Sequence, residues 1–255
     1  MGRTIQVAAD RAHDETKAVV PAEIARGIYI RNAPGVAALK LMHLMIATAG
    51  SRMGEDVEHH VRLSKVRGIE GLRHHDRASL TPLFEELRMA VLTYDDTDAR
   101  KVSIGGLLDV ADIDYREEAN GDLLIFWYFS RLFTRMAAAS DLWAILDRQA
   151  VFSLNSKYAI LLFQHIASLA GLAHVQAKTF TIPEMRAVLG IEAGKMERFS
   201  NLNQRVIQSA IAEINQVSRF HLTATPRKAG RTVISVEIAW TEKLAASATP
   251  LRRLR

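Results

Sequence analysis

The sequence contains one unit twice, and this internal repeat constrains the fold more than any other feature. Val61–Leu72 aligns with Phe180–Ile191 at an offset of 119 residues, with apolar residues over apolar ones at five positions. The helical pattern before it also repeats, because Gly35–Gly50 aligns with Ser156–Gly171 at an offset of 121 residues. Two matches in the same order at nearly the same offset indicate a duplicated domain. We therefore expect two copies of one unit, with a boundary near residue 150.

The alignment at an offset of 119 residues also matches charged and small residues. Arg67 lies over Arg186, and Gly71 lies over Gly190. Apolar residues of the following segment match as well: Leu80, Leu83, Leu87 and Val91 lie over Phe199, Leu202, Val206 and Ala210. Both copies are thus expected to hold the same elements in the same order.

In the second copy, apolar spacing and turn signals predict a series of helices and strands. Ser200 is expected to cap the last helix, and Pro183 to begin a short helix, where its missing N–H costs nothing. The expected elements are a helix over Ser156–Leu169 ended by Gly171, an extended segment over Phe180–Ile182, a short helix from Pro183 to Gly190, a helix over Ser200–Val217, and a β-hairpin of Phe220–Pro226 and Arg231–Trp240.

The first copy repeats this order with additions. Its expected elements are a helix over Gly35–Ala49, a strand near Val57–Leu63, helices over Ser64–Ile69 and Ser79–Tyr94, strands near Lys101–Arg116 and Asp122–Phe129, a further helix near Arg131–Ala139, and a link through Leu142–Leu154. A helix, a short strand, two helices and a hairpin form the order of a winged helix-turn-helix domain. The predicted fold class is α+β, with two tandem winged helix-turn-helix domains related by internal duplication.

The domain boundaries follow from the repeat. We expect a flexible N-terminal arm over residues 1–17, a first winged-helix domain over residues 18–150, a second over residues 151–245 and a loose basic tail over residues 246–255.

Charge is distributed unevenly between the two copies. Residues 1–150 carry 19 Lys or Arg against 22 Asp or Glu, whereas residues 151–255 carry 14 against 6. The second copy is therefore basic and the first slightly acidic. Concentrated positive charge favours a polyanionic partner for the second copy.

The chain has no cysteine, which excludes disulfides, thiolate zinc sites and cysteine nucleophiles. Its first residues lack the apolar stretch of a secretory signal peptide. Its longest apolar stretches, such as Gly35–Ala49, are too short to cross a bilayer. We therefore expect a soluble intracellular protein without a membrane partner.

Val151–Trp240 resembles a known family. Four segments carry the likeness, in this order: FSLNSKYAILLFQHI, TFTIPEMRAVLGI, RFSNLNQRVIQSAIAEIN and FHLTATPRKAGRTVISVEIAW. Together they resemble the second winged-helix domain of the initiator Rep proteins of iteron-containing bacterial plasmids. Ala18–Arg148 resembles the family only in outline, mainly through the duplication.

The resemblance implies a plasmid replication initiator, located in the bacterial cytoplasm at the nucleoid or plasmid. Such a protein binds direct repeats (iterons) in double-stranded origin DNA, promotes origin opening and recruits host replication initiator and helicase proteins. The resemblance also implies a homodimer in equilibrium with a monomer, and repression of the protein's own promoter. The first domain would serve in dimerisation and accessory DNA contact, with Leu123–Phe129 (LLIFWYF) as a candidate dimer strand.

In a helix-turn-helix, the second helix enters the major groove and presents residues near its N-terminus to base edges. Arginine pairs with guanine, and Asn or Gln with adenine, so the polar face of Ser200–Val217 suits base recognition. The candidates on or just before this helix are Arg198, Asn201, Asn203, Gln204, Arg205 and Gln208, with Arg205 as first choice. In the expected wing turn, the candidates for phosphate or minor-groove contact are Arg227, Lys228 and Arg231.

The matching helix of the first copy is a poorer base reader. Its outward residues include Glu85 and Glu86, whose charge repels phosphate. Four cations nearby are candidates for contact with the DNA backbone, although a solvated surface explains them equally well: Arg62, Lys65, Arg73 and Arg77.

No catalytic or metal-binding pattern outweighs DNA binding. The pairs His59-His60 and His74-His75 invite a metal hypothesis, but adjacent strand residues point to opposite faces, so each pair offers at most one ligand per side. Gly190–Met196 has three residues between its glycines, against four in a phosphate loop, and Met in place of Ser or Thr. The stretch Asp109–Asp122 alternates with apolar residues, as in a solvated hairpin.

We therefore expect neither enzymatic activity, nor a bound metal, nor a cofactor. Two alternatives remain. A winged-helix transcriptional regulator would prefer a lone palindrome over direct repeats. A DNA-nicking replication enzyme would cut supercoiled plasmid DNA at a defined position.

Overall fold

A computed structural model describes residues 2–26, 31–96, 100–116, 122–172, 174–192 and 194–243. The expected basic tail over residues 246–255 lies outside the described residues. Helices and strands both occur in each half of the described chain, so the fold is of the mixed α+β class. Within these residues, no helix combines the length and the apolar character needed to cross a bilayer.

The elements up to residue 147 follow in chain order: α1 (Arg3–Asp10), β1 (Lys17–Pro21), α2 (Ala22–Ala25), α3 (Val36–Ala49), a 3-10 helix (Gly50–Gly54), β2 (His59–Arg62), α4 (Leu63–Arg67), α5 (Arg77–Met89), β3 (Val91–Asp96), β4 (Lys101–Gly106), β5 (Leu108–Asp114), β6 (Leu124–Phe129), α6 (Arg131–Ala139) and β7 (Trp143–Asp147). The remaining elements are α7 (Arg148–Ser153), α8 (Lys157–Ala170), β8 (Ala177–Thr181), α9 (Ile182–Val188), α10 (Phe199–Leu202), a π-helical turn (Asn203–Ile207), α11 (Gln208–Val217), β9 (Phe220–Ala229) and β10 (Thr232–Glu242).

Local chemistry explains several helix starts. The Ser156 hydroxyl accepts a hydrogen bond from the Tyr158 N–H at 3.2 Å and begins α8. Thr181 and Glu184 form a capping box at α9, with Pro183 in the first turn. These caps agree with the helices expected at these positions, and α6 spans the residues expected for it.

Two three-stranded antiparallel sheets share one strand order. The first sheet has the order β2-β6-β5, and the second has the order β8-β10-β9. A long helix precedes each sheet in the chain, α3 in one case and α8 in the other. We call α3 to β6 the first unit and α8 to β10 the second unit. Both hold a helix, a strand, a short helix, a further helix and two paired strands in the order expected from the repeat, and the first unit adds the β3–β4 hairpin before its two paired strands.

One continuous apolar core joins the two units. The helices α3 and α8 are largely buried and pack against each other. At their contact, His43 Nε2 lies 3.0 Å from Gln164 Oε1, and these residues occupy matching positions at the offset of 121. The two units are therefore in contact through equivalent helices.

The C-terminal end expected for the helix over Ser79–Tyr94 is wrong. Its apolar spacing continues to Val91, but α5 ends at Met89 and the following residues form β3, which pairs with β4. Strand pairing buries Leu92, and the β-branched and aromatic residues around it favour a strand.

The structure differs from the expectation of a flexible arm over residues 1–17, and the link expected through Leu142–Leu154 contains elements that were not predicted. Arg3–Asp10 form α1, which buries Ile5 and Ala8. The link contains β7 and α7, and β7 pairs with β1 so that Lys17 and Asp147 form an ion pair at 2.8 Å. This pairing joins residues 130 positions apart, which local sequence patterns do not reveal.

Candidate nucleic-acid interface

The polar face expected on the last helix of the second unit is exposed to solvent. We call α10, the π-helical turn and α11 together (Phe199–Val217) the reading helix. Its apolar side is buried, through Leu202, Val206, Ile207, Ala210 and Ile214. On the opposite side, the candidate base-contacting residues are exposed: Asn201, Gln204, Arg205 and Gln208.

The reading helix starts earlier than expected. Ser200 does not cap it, because the N–H groups of Asn201 and Leu202 already donate to the Arg198 carbonyl, at 3.0 and 3.1 Å. Arg198 therefore occupies the cap position and is exposed there. This places its side chain at the end of the helix that approaches base edges in a helix-turn-helix.

A π-helical turn over Asn203–Ile207 interrupts the reading helix. Its hydrogen bonds span five residues in place of four, and such turns are frequent at functional sites. The wider turn lets Ile207 and Ile211 share the buried side with Leu202. It also leaves Asn203 half-buried.

The wider turn also changes which polar side chains of the reading helix are exposed to solvent. Asn203 is half-buried, and its Oδ1 accepts a hydrogen bond from Gln208 Nε2 at 3.3 Å, so these two side chains engage each other. Ser209 is exposed beside Arg205 and was missed from the sequence, since a period of 3.6 residues does not reveal a π turn. The fully exposed polar residues of this open face are therefore Asn201, Gln204, Arg205, Gln208 and Ser209.

The β9–β10 hairpin, which we call the wing, is longer than expected. Arg227 and Lys228 lie on β9 and not in the turn, because strand pairing continues to Ala229 and Thr232. The tip is reduced to Gly230 and Arg231, and Gly230 has the positive φ of +60° that a tight turn requires.

The three wing cations differ in their ion pairing with the residues that the structure describes. The Arg227 guanidinium lies 2.8 Å from Glu237, which offsets its charge. Lys228 and Arg231 are exposed, and neither forms an ion pair with another residue that the structure describes. They are the better placed candidates for phosphate contact.

The four cations expected near DNA in the first unit are all exposed. Arg62 ends β2, with its guanidinium 3.8 Å from the Asp122 carboxylate. Lys65 lies on α4 and Arg73 in the turn after it. Arg77 begins α5, with its guanidinium 4.3 Å from the Tyr115 ring centroid.

The helix α5, which matches the reading helix, carries acidic residues outward. Glu85 and Glu86 are exposed, and Glu86 accepts a hydrogen bond from the Gly35 N–H at 2.7 Å at the start of α3. The neighbouring strand β5 exposes Asp109 and Asp112. The surface around α5 is therefore less suited to phosphate than that of the second unit.

The histidine pair on β2 is divided between the two faces of its sheet. His59 is buried against Trp127, with ring centroids 5.6 Å apart, and burial lowers its pKa. His60 is exposed on the other side. Across the described part of the chain, no three His, Asp or Glu side chains are grouped as metal ligands would be.

Comparison with known proteins points to one family. Residues 181–240 match the family model "Initiator Rep protein, WH2", a span that contains α9, the reading helix and most of the wing. This match confirms the resemblance to initiator Rep proteins expected from the sequence. No curated protein matches the chain significantly.

Two solved structures are similar to this one. The first is the Pi initiator protein in complex with iteron DNA, at a TM-score of 0.67 and 15% identity, covering 90% of this chain and 98% of that one. The second comprises domains 2 and 3 of RctB, at a TM-score of 0.47 and 10% identity, covering 81% of this chain and 80% of that one. At 15% identity, the first likeness shows a shared fold.

Proposed function

We propose that this protein is a plasmid replication initiator that binds direct repeats in double-stranded origin DNA. One observation carries the proposal. The residues that match the initiator Rep family form both an exposed polar helix face and a wing with free cations. The Pi initiator protein, whose fold extends over 90% of this chain, is bound to iteron DNA in its crystal structure, which supports repeated DNA sites as the ligand.

We propose two tandem winged-helix domains, over residues 18–150 and 151–245, related by duplication. The shared strand order of the two sheets supports this division. So does the contact between His43 and Gln164, because duplicated units that pack about an approximate two-fold axis bring equivalent positions together.

The reading helix is proposed to lie in the major groove, with Arg205 as the principal base contact. Arg198, Asn201, Gln204 and Gln208 would extend the same contact along the groove. Lys228 and Arg231 would hold the wing against phosphates or the minor groove. The accessory backbone contacts of the first domain would come from Arg62, Lys65, Arg73 and Arg77.

We also propose a homodimer in equilibrium with a monomer, through the first domain. The candidate strand Leu123–Phe129 is poorly placed for pairing with a second copy, because β6 lies between β2 and β5 and its backbone is already paired on both sides. A better surface is β4, where Val102 and Ile104 are 57% and 65% exposed on one face of the strand. Among the described residues, β4 pairs only with β3, which leaves its outer edge open.

Origin opening, recruitment of host replication initiator and helicase proteins, and repression of its own promoter complete the proposal. These steps would follow DNA binding and need neither a cofactor nor a catalytic residue in this chain.

Fluorescence anisotropy at near-physiological salt tests the proposal. The full chain is titrated with duplexes from the DNA that flanks its own gene and with a scrambled duplex of equal length. We expect a preference of about 10³ or more for fragments that hold direct repeats. Equal, salt-sensitive binding to both duplexes would contradict specific recognition, and preference for a lone palindrome would favour a regulator. A nick at a defined position in supercoiled plasmid, with magnesium or manganese present, would favour an enzyme.

A further inference from the structure

One side chain holds the loop between α9 and the reading helix. Arg186 lies near the end of α9 and is half-buried. Its guanidinium donates hydrogen bonds to the carbonyls of Met196 at 2.9 Å and Glu192 at 3.2 Å, and to that of Lys195. Hydrogen bonds from a cationic donor are roughly twice as strong as neutral ones, so Arg186 ties three points of the loop to α9.

The same loop contains backbone conformations that side chains disfavour. Gly190 and Gly194 have φ values of +59° and +80°, and Met196 has φ of +54°. A residue other than glycine is strained in this region, because its Cβ approaches the following carbonyl oxygen. Such strain persists only where the surroundings impose it, and it is concentrated at functional sites. The carbonyl of Met196 is one of those that Arg186 binds, and Met196 lies two residues before Arg198.

The first unit contains the same arrangement. Arg67, which matches Arg186, donates from Nε to the His75 carbonyl at 2.9 Å, immediately before the Asp76 cap of α5. Gly71, which matches Gly190, also has a positive φ, of +86°. The arginine and the left-handed glycine thus occur in both units, although the outward charge of α5 differs from that of the reading helix.

We propose that Arg186 is a positioning residue for DNA recognition, which sets the location of the N-terminal end of the reading helix without contacting DNA. The inference rests on the proposed function. Base contacts require side chains to be held to within about half an ångström, whereas phosphate contact through the wing tolerates more movement. Loss of the Arg186 hydrogen bonds should therefore reduce sequence preference more than general affinity for DNA.

The test compares matched variants of the two units. Wild-type protein first selects a preferred duplex from a random-sequence DNA library, and Kd is then measured on that duplex and on a scrambled one. We expect Arg186→Gln to lower the preference, the ratio of Kd on the scrambled duplex to Kd on the preferred one, by about tenfold or more. Loss of one good base contact has an effect of this size. The Kd on the scrambled duplex should change little. Arg186→Lys, which keeps a cationic donor, should retain part of the preference. Arg67→Gln should leave the preference unchanged, because α5 is not the base reader.

Amide hydrogen exchange without DNA gives a second, independent measurement. Arg186→Gln should speed exchange in the loop between α9 and the reading helix and leave α8 and the wing unchanged. A preference that survives in Arg186→Gln, or a loop whose exchange does not change, would overturn the inference while leaving the proposed function in place. A wild-type protein that selects no sequence would contradict the proposed function itself. Should Arg186→Gln fail to fold, a preference in Arg186→Lys equal to that of wild type, with unchanged loop exchange, would overturn the inference.

Discussion

At the scale of single residues, two cations of the second unit should contribute differently to DNA binding. Arg205 is exposed on the reading helix and Lys228 on β9. Arg205→Ala should cost about 1–3 kcal/mol on the preferred duplex, because it removes a base contact. Lys228→Ala should weaken binding to all sequences alike and reduce the salt slope by about one. Anisotropy titrations at several salt concentrations measure both, and equal losses on specific and scrambled DNA for Arg205→Ala would show that another element reads the bases.

The surroundings of Gly190 lead to a further prediction at this scale, about the stability of the folded chain. A Cβ at this position would lie 2.7 Å from the Ala33 Cβ and 3.2 Å from Leu161 Cδ1, and its φ of +59° disfavours any side chain. Gly194 has a φ of +80°, and among the described residues no atom lies within 4 Å of a Cβ added there. Gly194→Ala should therefore cost only the conformational term of about 1–2 kcal/mol, and Gly190→Ala clearly more. Urea unfolding measures both, and equal losses would mean that the contact with Ala33 is unimportant.

The sequence predicted the exposure of most candidate residues, because apolar periodicity decides which face of a helix is buried. Asn201, Gln204 and Arg205 lie on the open face for this reason. Asn203 is only half-exposed, because the π turn alters the period locally. Arg227 was misplaced because the length of a strand depends on its pairing partner, which composition alone does not reveal. The roles of all these residues in binding DNA stay predictions.

At the scale of elements, the sequence was most informative where a local cap defines a boundary. The helices α8 and α9 lie where apolar spacing and Pro183 predicted helices, and the side chains of Ser156 and Thr181 cap them. The cap expected at Ser200 was wrong, because Arg198 occupies the cap position. The strands β1 and β7 were missed because each is stabilised by a partner far along the chain. In β1 four consecutive residues are also buried, so this strand lacks the alternation that reveals a half-exposed strand.

The exposed face of β4, in the β3–β4 hairpin, leads to a prediction about the proposed dimer. Ile104→Lys places a charge on the exposed face of β4, where Ile104 is 65% exposed, and should raise the dimer dissociation constant by about tenfold or more. Ile234→Lys is the matched control, because Ile234 is 52% exposed on β10 of the second unit. Sedimentation equilibrium distinguishes the two. A dimer that is unaffected by Ile104→Lys, or weakened equally by both variants, would contradict a dimer surface on β4.

At the scale of the whole molecule, two histidines buried on the packed helices α3 and α8, His43 and His165, should make folding sensitive to acid. Burial lowers the pKa of His43 to about 4, although its hydrogen bond to Gln164 opposes this shift. Burial also lowers the pKa of His165 to about 4, against its hydrogen bond to the Arg26 carbonyl. In the unfolded chain, both side chains titrate near the ordinary value of about 6.5.

The direction of the pH dependence follows from these values. Between pH 6.5 and 4 the unfolded chain binds more protons than the folded one, so the free energy of unfolding falls as the pH falls. Each histidine contributes a slope of up to about 1.4 kcal/mol per pH unit in this window. Urea unfolding at several pH values should show this decline, and His43→Gln should reduce the slope by the share of one histidine. A free energy of unfolding that is constant between pH 6.5 and 4.5 would contradict the burial of neutral His43 and His165.

The central claim is that the second unit recognises repeated sites in DNA, and hydroxyl-radical footprinting on the DNA that flanks the gene tests it most directly. We predict several protected segments of one sequence in one orientation, all lost together in Arg205→Ala. A single protected segment with two-fold symmetry, or uniform protection along the fragment, would contradict the claim.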